Sequence, residues 1–311
     1  MSKGVLCSGS IIFDTLVHPA GDAPWGTTTF VETIESHPGG NGSNTSLAVA
    51  KTGSAVRLIG AVGSDEHGQF LREALSRGGV DIGPVWSIEG ASAATVALVN
   101  HAGDRRFLHR MGVSAQAFAE PIEFTPALVD GMAHYHLASL FILPRLRAHA
   151  PETLNRARTA GLTTSLDTNW DPLARWMTDI GPCLPYLDLV FMNEDEARMV
   201  TGQDEPHHAA EVLLRAGART AVLKLGARGC AVYTSDREIF SPGFRVPVKD
   251  TTGAGDCFVG AFLSARMGGA SWEEAARFAN ALGAICVQHV GGPSRLPADV
   301  DVAGWMAEQA K

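Results

Sequence analysis

Several things are missing from this chain, and each absence closes a class of function. There is no run of basic residues, and the net charge is −8. That argues against a partner presenting a phosphate backbone, so no nucleic acid is expected. No apolar run reaches membrane-spanning length, and the opening MSKGVLCSGSIIFDT has neither the apolar core nor the cleavage site of a signal peptide. The expectation is a soluble cytoplasmic protein with no membrane partner. The five cysteines (Cys7, Cys183, Cys230, Cys257, Cys286) form no CxxC pair, which fits reduced thiols. The phosphate-binding pattern GxxxxGK[ST] is nowhere in the chain, so a P-loop enzyme is excluded.

What is present is enough for a large core: 311 residues, 45% of them hydrophobic and 19% charged. Short apolar runs at 4–9, 56–62, 132–138, 162–167, 187–192 and 220–225 read as strands covered on both faces. Helical patterns near 43–52, 65–77, 146–160, 172–180, 194–201, 207–216, 254–267 and 272–288 lie between or after them. This alternation predicts an α/β body with a mostly parallel sheet and helices on both sides. Two segments break it. Thr27–Ile34 reads as extended, and 92–113 reads as a hairpin around Asn100–Asp104. The expected division is a body of 1–13, 38–91 and 114–311, with 14–37 and 92–113 forming a small inserted β lid.

The stretch DTTGAGDCF at 250–258 carries the most chemistry. Phe258, Val259, Phe262 and Leu263 make an apolar helical stripe, so Gly253, Ala254, Gly255 and Asp256 open a helix. Free backbone N–H groups and the helix dipole stabilise an anion there, and glycine allows close approach. A carboxylate inside such a turn would repel a stored phosphate. It suits a proton acceptor beside a phosphoryl group in transit. The plain structural reading is an acid favoured by the dipole.

DTTGAGDCFVGAF resembles the C-terminal signature of the ribokinase-like (PfkB-type) carbohydrate kinases. The resemblance runs from Gly9 to about Pro297 and implies the ribokinase-like three-layer αβα fold. It implies ATP-dependent phosphorylation of a hydroxymethyl group on a sugar or related polyol, with Asp256 as general base and Gly253, Ala254 and Gly255 as the anion hole. PGGNGSNTSLAVAKTG (38–53) is similar to the N-terminal signature, and with SGSIIFD it implies substrate contacts from Asp14, Gly40, Asn41 and Asn44. Amides and carboxylates suit paired hydroxyls; an Asx turn at Asn41 and a helix cap at Asn44 are the structural alternatives. SLDTNWDPLARW (165–176) is similar to an Asp-x-Asn stretch and adds Asn169, with turn structure as its alternative. Asp171 stands where family members often have arginine, which tells against a simple fructokinase match. ASLFILP (138–144) lacks the acid that ribokinase itself uses there, which tells against ribose.

For the nucleotide, the resemblance implies Asn193 and Glu196 of MNEDEARMVTG ordering Mg2+ and phosphates through water, although the same pair reads as a helix capping box. It adds Lys224, Gly226 and Gly229 of LKLGARG, and Asn280 beside the base. In some members an aspartate like Asp250, with Thr252, Cys286, His289, Gly291 and Ser294, holds K+. A homodimer through the lid is the implied assembly. Two other readings stay open: a nucleoside kinase of the same fold and a non-catalytic sugar or nucleotide sensor. His134 and His136 share a strand face without a third ligand nearby, so no metal site is assigned to them. His207 and His208 read as surface. Arg105, Arg106 and Arg110 either greet an acidic substrate or are solvated. Trp25 and Phe107 either cover a ligand face or pack the lid.

Overall fold

The computed structural model describes residues 3–21, 25–101 and 105–309. Its strands are β1 (Gly4–Ser8), β2 (Ile12–His18), β3 (Thr33–Gly39), β4 (Val56–Gly63), β5 (Val85–Ile88), β6 (Ala93–Val99), β7 (Arg105–Arg110), β8 (Met132–Leu137), β9 (Thr163–Asp167), β10 (Leu189–Asn193), β11 (Ala221–Lys224), β12 (Gly229–Tyr233) and β13 (Glu238–Pro242). Its helices are α1 (Asn41–Lys51), α2 (Glu66–Arg77), α3 (Pro126–Val129), α4 (Pro144–Thr159), α5 (Met177–Ile180), α6 (Glu194–Thr201), α7 (Pro206–Arg215), α8 (Ala254–Met267), α9 (Trp272–Cys286) and α10 (Val302–Glu308).

The strand residues explain the layers. In β1, Val5 and Cys7 join one core while Leu6 joins the other; in β10, Leu189 and Phe191 face one side, Val190 and Met192 the other. Strands apolar on both faces need helices on both. Helices α1, α2, α8 and α9 supply the first core, α4, α6 and α7 the second. Phe191 meets Phe262 of α8 edge to face at 5.4 Å, and burying each ring contributes roughly 2–3 kcal/mol. The result is a three-layer αβα body whose nine-stranded sheet runs β13-β12-β11-β10-β9-β8-β1-β4-β5. It is parallel except where β12 pairs antiparallel with β11 and β13. A separate four-stranded sheet, β3-β2-β6-β7, stands outside it. All five cysteines are free and buried. Among the described residues, no helix is long and apolar enough to cross a membrane.

Two local expectations are corrected. The β-branched run Thr27–Ile34 is mostly irregular, and the strand is Thr33–Gly39, set by antiparallel pairing with β2 from Thr33↔His18 to Gly39↔Ile12. The helical pattern over 172–180 yields only the single turn Met177–Ile180. There, Asp171 gathers the N–H groups of Leu173, Arg175 and Trp176, and Ala174 and Trp176 adopt positive φ. The 92–113 hairpin forms as β6 and β7, paired from Val99↔Arg105 to Ala94↔Arg110, while 102–104 of its tip lie outside the described residues. β5, β12 and β13 were not anticipated.

Candidate active site

The first turn of α8 is shaped by Gly253, at φ 71°. A Cβ there would lie 2.5 Å from Pro293 Cδ, so both the conformation and the space demand glycine. Ala254, Gly255 and Asp256 follow, and Asp256 is 6% exposed. Its two carboxylate oxygens each accept one amide: Asn41 Nδ2 donates to Oδ1 and Asn44 Nδ2 to Oδ2, both at 2.9 Å. Both asparagines sit in the first turn of α1, which packs across α8. The Asn41 amide is oriented by a hydroxyl relay. Ser139 Oγ donates to Asn41 Oδ1 at 3.1 Å, and Ser10 Oγ accepts the Asn41 backbone N–H at 3.1 Å. Gly40 is the residue before α1, at φ 88°, and makes no side-chain cap. Burial raises the Asp256 pKa above the ordinary carboxylate value; Asn44, Asn41 and Lys224 pull it down and Glu196 pushes it up.

Lys224, at the end of β11, adjoins this turn: its Nζ lies 3.5 Å from where a Cβ on Gly255 would be. Asp167, at the end of β9, holds that ammonium at 2.7 and 2.9 Å. Burial lifts Asp167 to about 7 despite Lys224, with Glu196 and Asp256 adding to the rise. Burial opposes the charge on Lys224, but Asp167, Glu196 and Asp256 outweigh it, and its pKa is raised. Glu196 is buried. Its Oε2 accepts from Asn193 N at 2.9 Å and from Thr168 Oγ1 at 2.8 Å. Asn193 Oδ1 accepts the Glu196 N–H in return, which completes a capping box at the start of α6. Among the described residues no group of three or more His, Cys, Asp or Glu forms a ready-made metal cage. Mg2+ typically takes one or two carboxylates plus phosphates and waters. The donor set therefore fits a Mg2+ that arrives with a nucleotide.

On one side of the α8 turn lies a cleft of ≈ 510 Å³, floored by Ala254 and Gly255 and bordered by Lys224, Gly226 and Gly229. Phe244, Val246, Val248 and Phe258 give it apolar walls. Asn280 lines it with its Nδ2 already donating to Ser241 O, Ser241 Oγ and Pro242 O. On the other side is a pocket of ≈ 190 Å³ lined by Asp14, His37, Asn44, Thr95, Arg105 and Phe107, among others. Asp14 fits because Gly39 has no side chain: a Cβ there would be 1.8 Å from Asp14 Oδ2. Burial lifts Asp14 to about 6, and a hydrogen bond with Thr95 only partly offsets it.

Asp250 is also buried. It accepts the N–H groups of Thr252 at 2.7 Å and Gly291 at 3.0 Å, and Arg105 Nη2 pairs with its Oδ1 at 2.6 Å. The remaining residues of the implied K+ set hydrogen-bond among themselves. Ser294 Oγ donates to Gly291 O at 2.9 Å, His289 N to Cys286 O at 3.0 Å, and Cys286 Sγ to Thr252 O at 3.7 Å. Asp250 thus already has a cationic partner within the chain.

Most of the other residues singled out in the sequence have partners of their own. Asn169 serves a turn, accepting from Phe141 N at 3.2 Å and donating to Trp170 O at 3.1 Å. Asp171 is turned to Arg147, which grips it at 2.7 and 2.9 Å. Against the upward push of burial, Arg147 and three backbone N–H groups hold its carboxyl down to about 2. His134 and His136 are buried and share Ser165 Oγ at 2.7 Å each, a core hydrogen-bond pair. His207 is half-exposed and paired with Glu238 and Glu211. Trp25 is fully exposed and Arg106 is exposed, while Arg110 donates to Ser92 O. Sequence reasoning passed over Asp167, Thr95 and Ser139. For Asp167 the signal was there, since it is the acid of the Asp-x-Asn stretch that ends β9.

The pfkB family carbohydrate kinase profile matches residues 3–299. Fructokinase-1 of Oryza sativa subsp. japonica is 31% identical over 321 residues, covering 98% of this chain and 98% of that protein. The 2-dehydro-3-deoxygluconokinase of Bacillus subtilis (strain 168) is 28% identical over 291 residues, covering 90% and 89%. Among solved structures, the Arabidopsis thaliana ribokinase complexed with ribose and ATP superposes with a TM-score of 0.84 at 24% identity, covering 100% of both chains.

Proposed function

The chain belongs to the pfkB family of carbohydrate kinases, phosphotransferases with an alcohol group as acceptor, and on that premise we propose that it moves the γ-phosphoryl of ATP to a hydroxymethyl group of a neutral sugar, with Asp256 as general base. The observation that carries this reading is the position of Asp256. It lies in the first turn of α8, whose Ala254 and Gly255 line the cleft of nucleotide size, and its carboxylate is fixed by two amides, one of them from Asn44, which lines the smaller pocket.

ATP, the ligand complexed with the Arabidopsis ribokinase, would place its base between the apolar walls and its phosphates against Gly226, Gly229 and the α8 turn. Lys224 would meet the phosphates as a point charge. Glu196, beside Asn193, would hold a Mg2+ through water, and the metal would supply neutralisation of the phosphate charge. Asp256 would take the acceptor's proton as the oxygen attacks. The backbone N–H groups of Gly255 and its neighbours would stabilise the charge that develops on the transferred group.

The acceptor pocket favours a neutral polyol over a sugar acid. Arg105 is already committed to Asp250, while Asp14 presents its carboxylate to an incoming substrate. The small sheet would act as the lid, bringing Asp14 and Thr95 onto sugar hydroxyls and excluding water. Its exposed apolar residues Phe30, Ile34, Phe107 and Leu108 suit a lid-to-lid homodimer.

The test is ADP release with ATP and Mg2+ over a panel of fructose, ribose, 2-dehydro-3-deoxygluconate and adenosine. Turnover with a neutral sugar supports the reading. Turnover confined to the sugar acid or to adenosine overturns the acceptor assignment. Binding without ADP release overturns the kinase.

A further inference from the structure

One guanidinium ties the small sheet to the approach of α8. Arg105 opens β7, and both of its terminal nitrogens reach the segment just before Gly253: Nη2 to Asp250 Oδ1 at 2.6 Å and Nη1 to Thr252 Oγ1 at 2.7 Å. The Arg105 side chain is 19% exposed and that of Asp250 is 4% exposed. Breaking such a pair strands a carboxylate in a poorly hydrated place, so it is not a casual surface contact.

Asp250 is a hub. It fixes its own turn through Thr252 N and the 291–295 loop through Gly291 N. Pro293 of that loop packs under Gly253, the residue whose positive φ sets the anion-binding turn. From the same sheet, His37 of β3 meets Ser294 at 3.3 Å and Glu35 meets Arg295. Arg105 also lines the pocket that holds Asp14, so it stands at once in the acceptor pocket and on the frame of the phosphate turn.

We infer that Arg105 is a positioning residue that locks the Asp250–Gly253 turn into its anion-binding form when the lid is down, filling the electrostatic role an inorganic monovalent cation would otherwise have. The consequence is a coupling between sites. An acceptor that holds the lid down through Asp14 keeps Arg105 on Asp250 and so tightens phosphate binding, and ATP tightens acceptor binding by the same factor. A second consequence is indifference to K+. The inference rests on the kinase reading, but its physical core, the dependence of the turn on Arg105, does not.

The experiment compares the full chain with Arg105→Met and Arg105→Lys. Hydrogen exchange of backbone amides 250–256 is followed on the protein alone and with ATP plus an acceptor. Exchange there should be faster in Arg105→Met, with Arg105→Lys between it and the parent. With saturating acceptor, KM for ATP should rise about tenfold in Arg105→Met. The parent should turn over equally, within about twofold, in K+ or Na+ at fixed ionic strength. Equal exchange in parent and Arg105→Met, an unchanged KM for ATP, or a strict K+ requirement in the parent would each overturn the inference. Should Arg105→Met not fold, Arg105→Lys and Thr252→Val carry the same comparison. Absence of any sugar turnover would defeat the kinase reading, while the exchange measured on the protein alone still decides the role of Arg105.

Discussion

Asn41 and Asp256 are 215 positions apart in sequence and 2.9 Å apart in space, the amide donating to the carboxylate. With Asn44 it converts a buried acid, whose ionised form burial disfavours, into one with a fixed direction and two donors. Three predictions follow from how the carboxylates are held.

Removing one donor should make Asp256 harder to ionise. In Asn41→Ala, the acid limb of the kcat/KM profile should move to higher pH, because a donor that favours the carboxylate is lost. Since Asp256 starts above the ordinary carboxylate range, activity in the parent should already fall on acidification at a higher pH than for an exposed aspartate. On the alkaline plateau of the profile the rates should converge to within about tenfold. An unmoved acid limb would separate Asn41 from the base.

Lys224 faces Asp167 directly and feels Glu196 and Asp256. Lys224→Met should cost roughly 3–5 kcal/mol of stability at pH 8, because it leaves buried negative charge without its cation. The loss should shrink as pH falls through about 7, where Asp167 takes up a proton. The double variant Lys224→Met/Asp167→Asn should regain most of the melting temperature and none of the ATP affinity. Chemical denaturation and ATP titration read the two effects apart.

Asp14 has a folded pKa of about 6 against an ordinary 3.8. A carboxyl raised by folding supports the folded state fully below its unfolded pKa, and that support is lost as pH rises through about 6. Asp14→Asn should therefore raise the melting temperature by a few degrees at pH 8, with the gain fading as pH is lowered towards 4. The same variant should weaken acceptor KM far more than ATP KM. A melting difference that grows on acidification would contradict the assignment.

The features legible in sequence are the contiguous ones. The αβ alternation, the glycine turn at 253–255 and the Asn193/Glu196 pair each lie within one element or one turn, where spacing alone fixes geometry. The small sheet was legible as an interruption of the alternation, but its strand register was not. Thr27–Ile34 has the better strand composition, yet pairing with β2 selects Thr33–Gly39, a segment containing Ser36, His37 and Pro38. Residues whose meaning comes from a distant partner carry no such signal. That Asn41 and Asn44 hold Asp256 is invisible in sequence because the acid is on α8. Asp171 reads in sequence only as a departure from the family's arginine, because Arg147, which claims it, sits on α4. Arg105 reads either as greeting an acidic substrate or as solvated because nothing near it in the chain announces Asp250, and Lys224 gives no hint of Asp167, 57 positions away.

The most direct test of the central claim is product formation by Asp256→Asn at saturating ATP, Mg2+ and the acceptor found for the parent, alongside calorimetric titration of ATP. The amide keeps the shape and cannot accept the proton, so turnover should fall about 10²–10⁴-fold while ATP affinity stays within a few-fold of the parent. An Asp256→Asn protein that bound ATP normally and phosphorylated its acceptor at the parent's rate would contradict Asp256 as the general base.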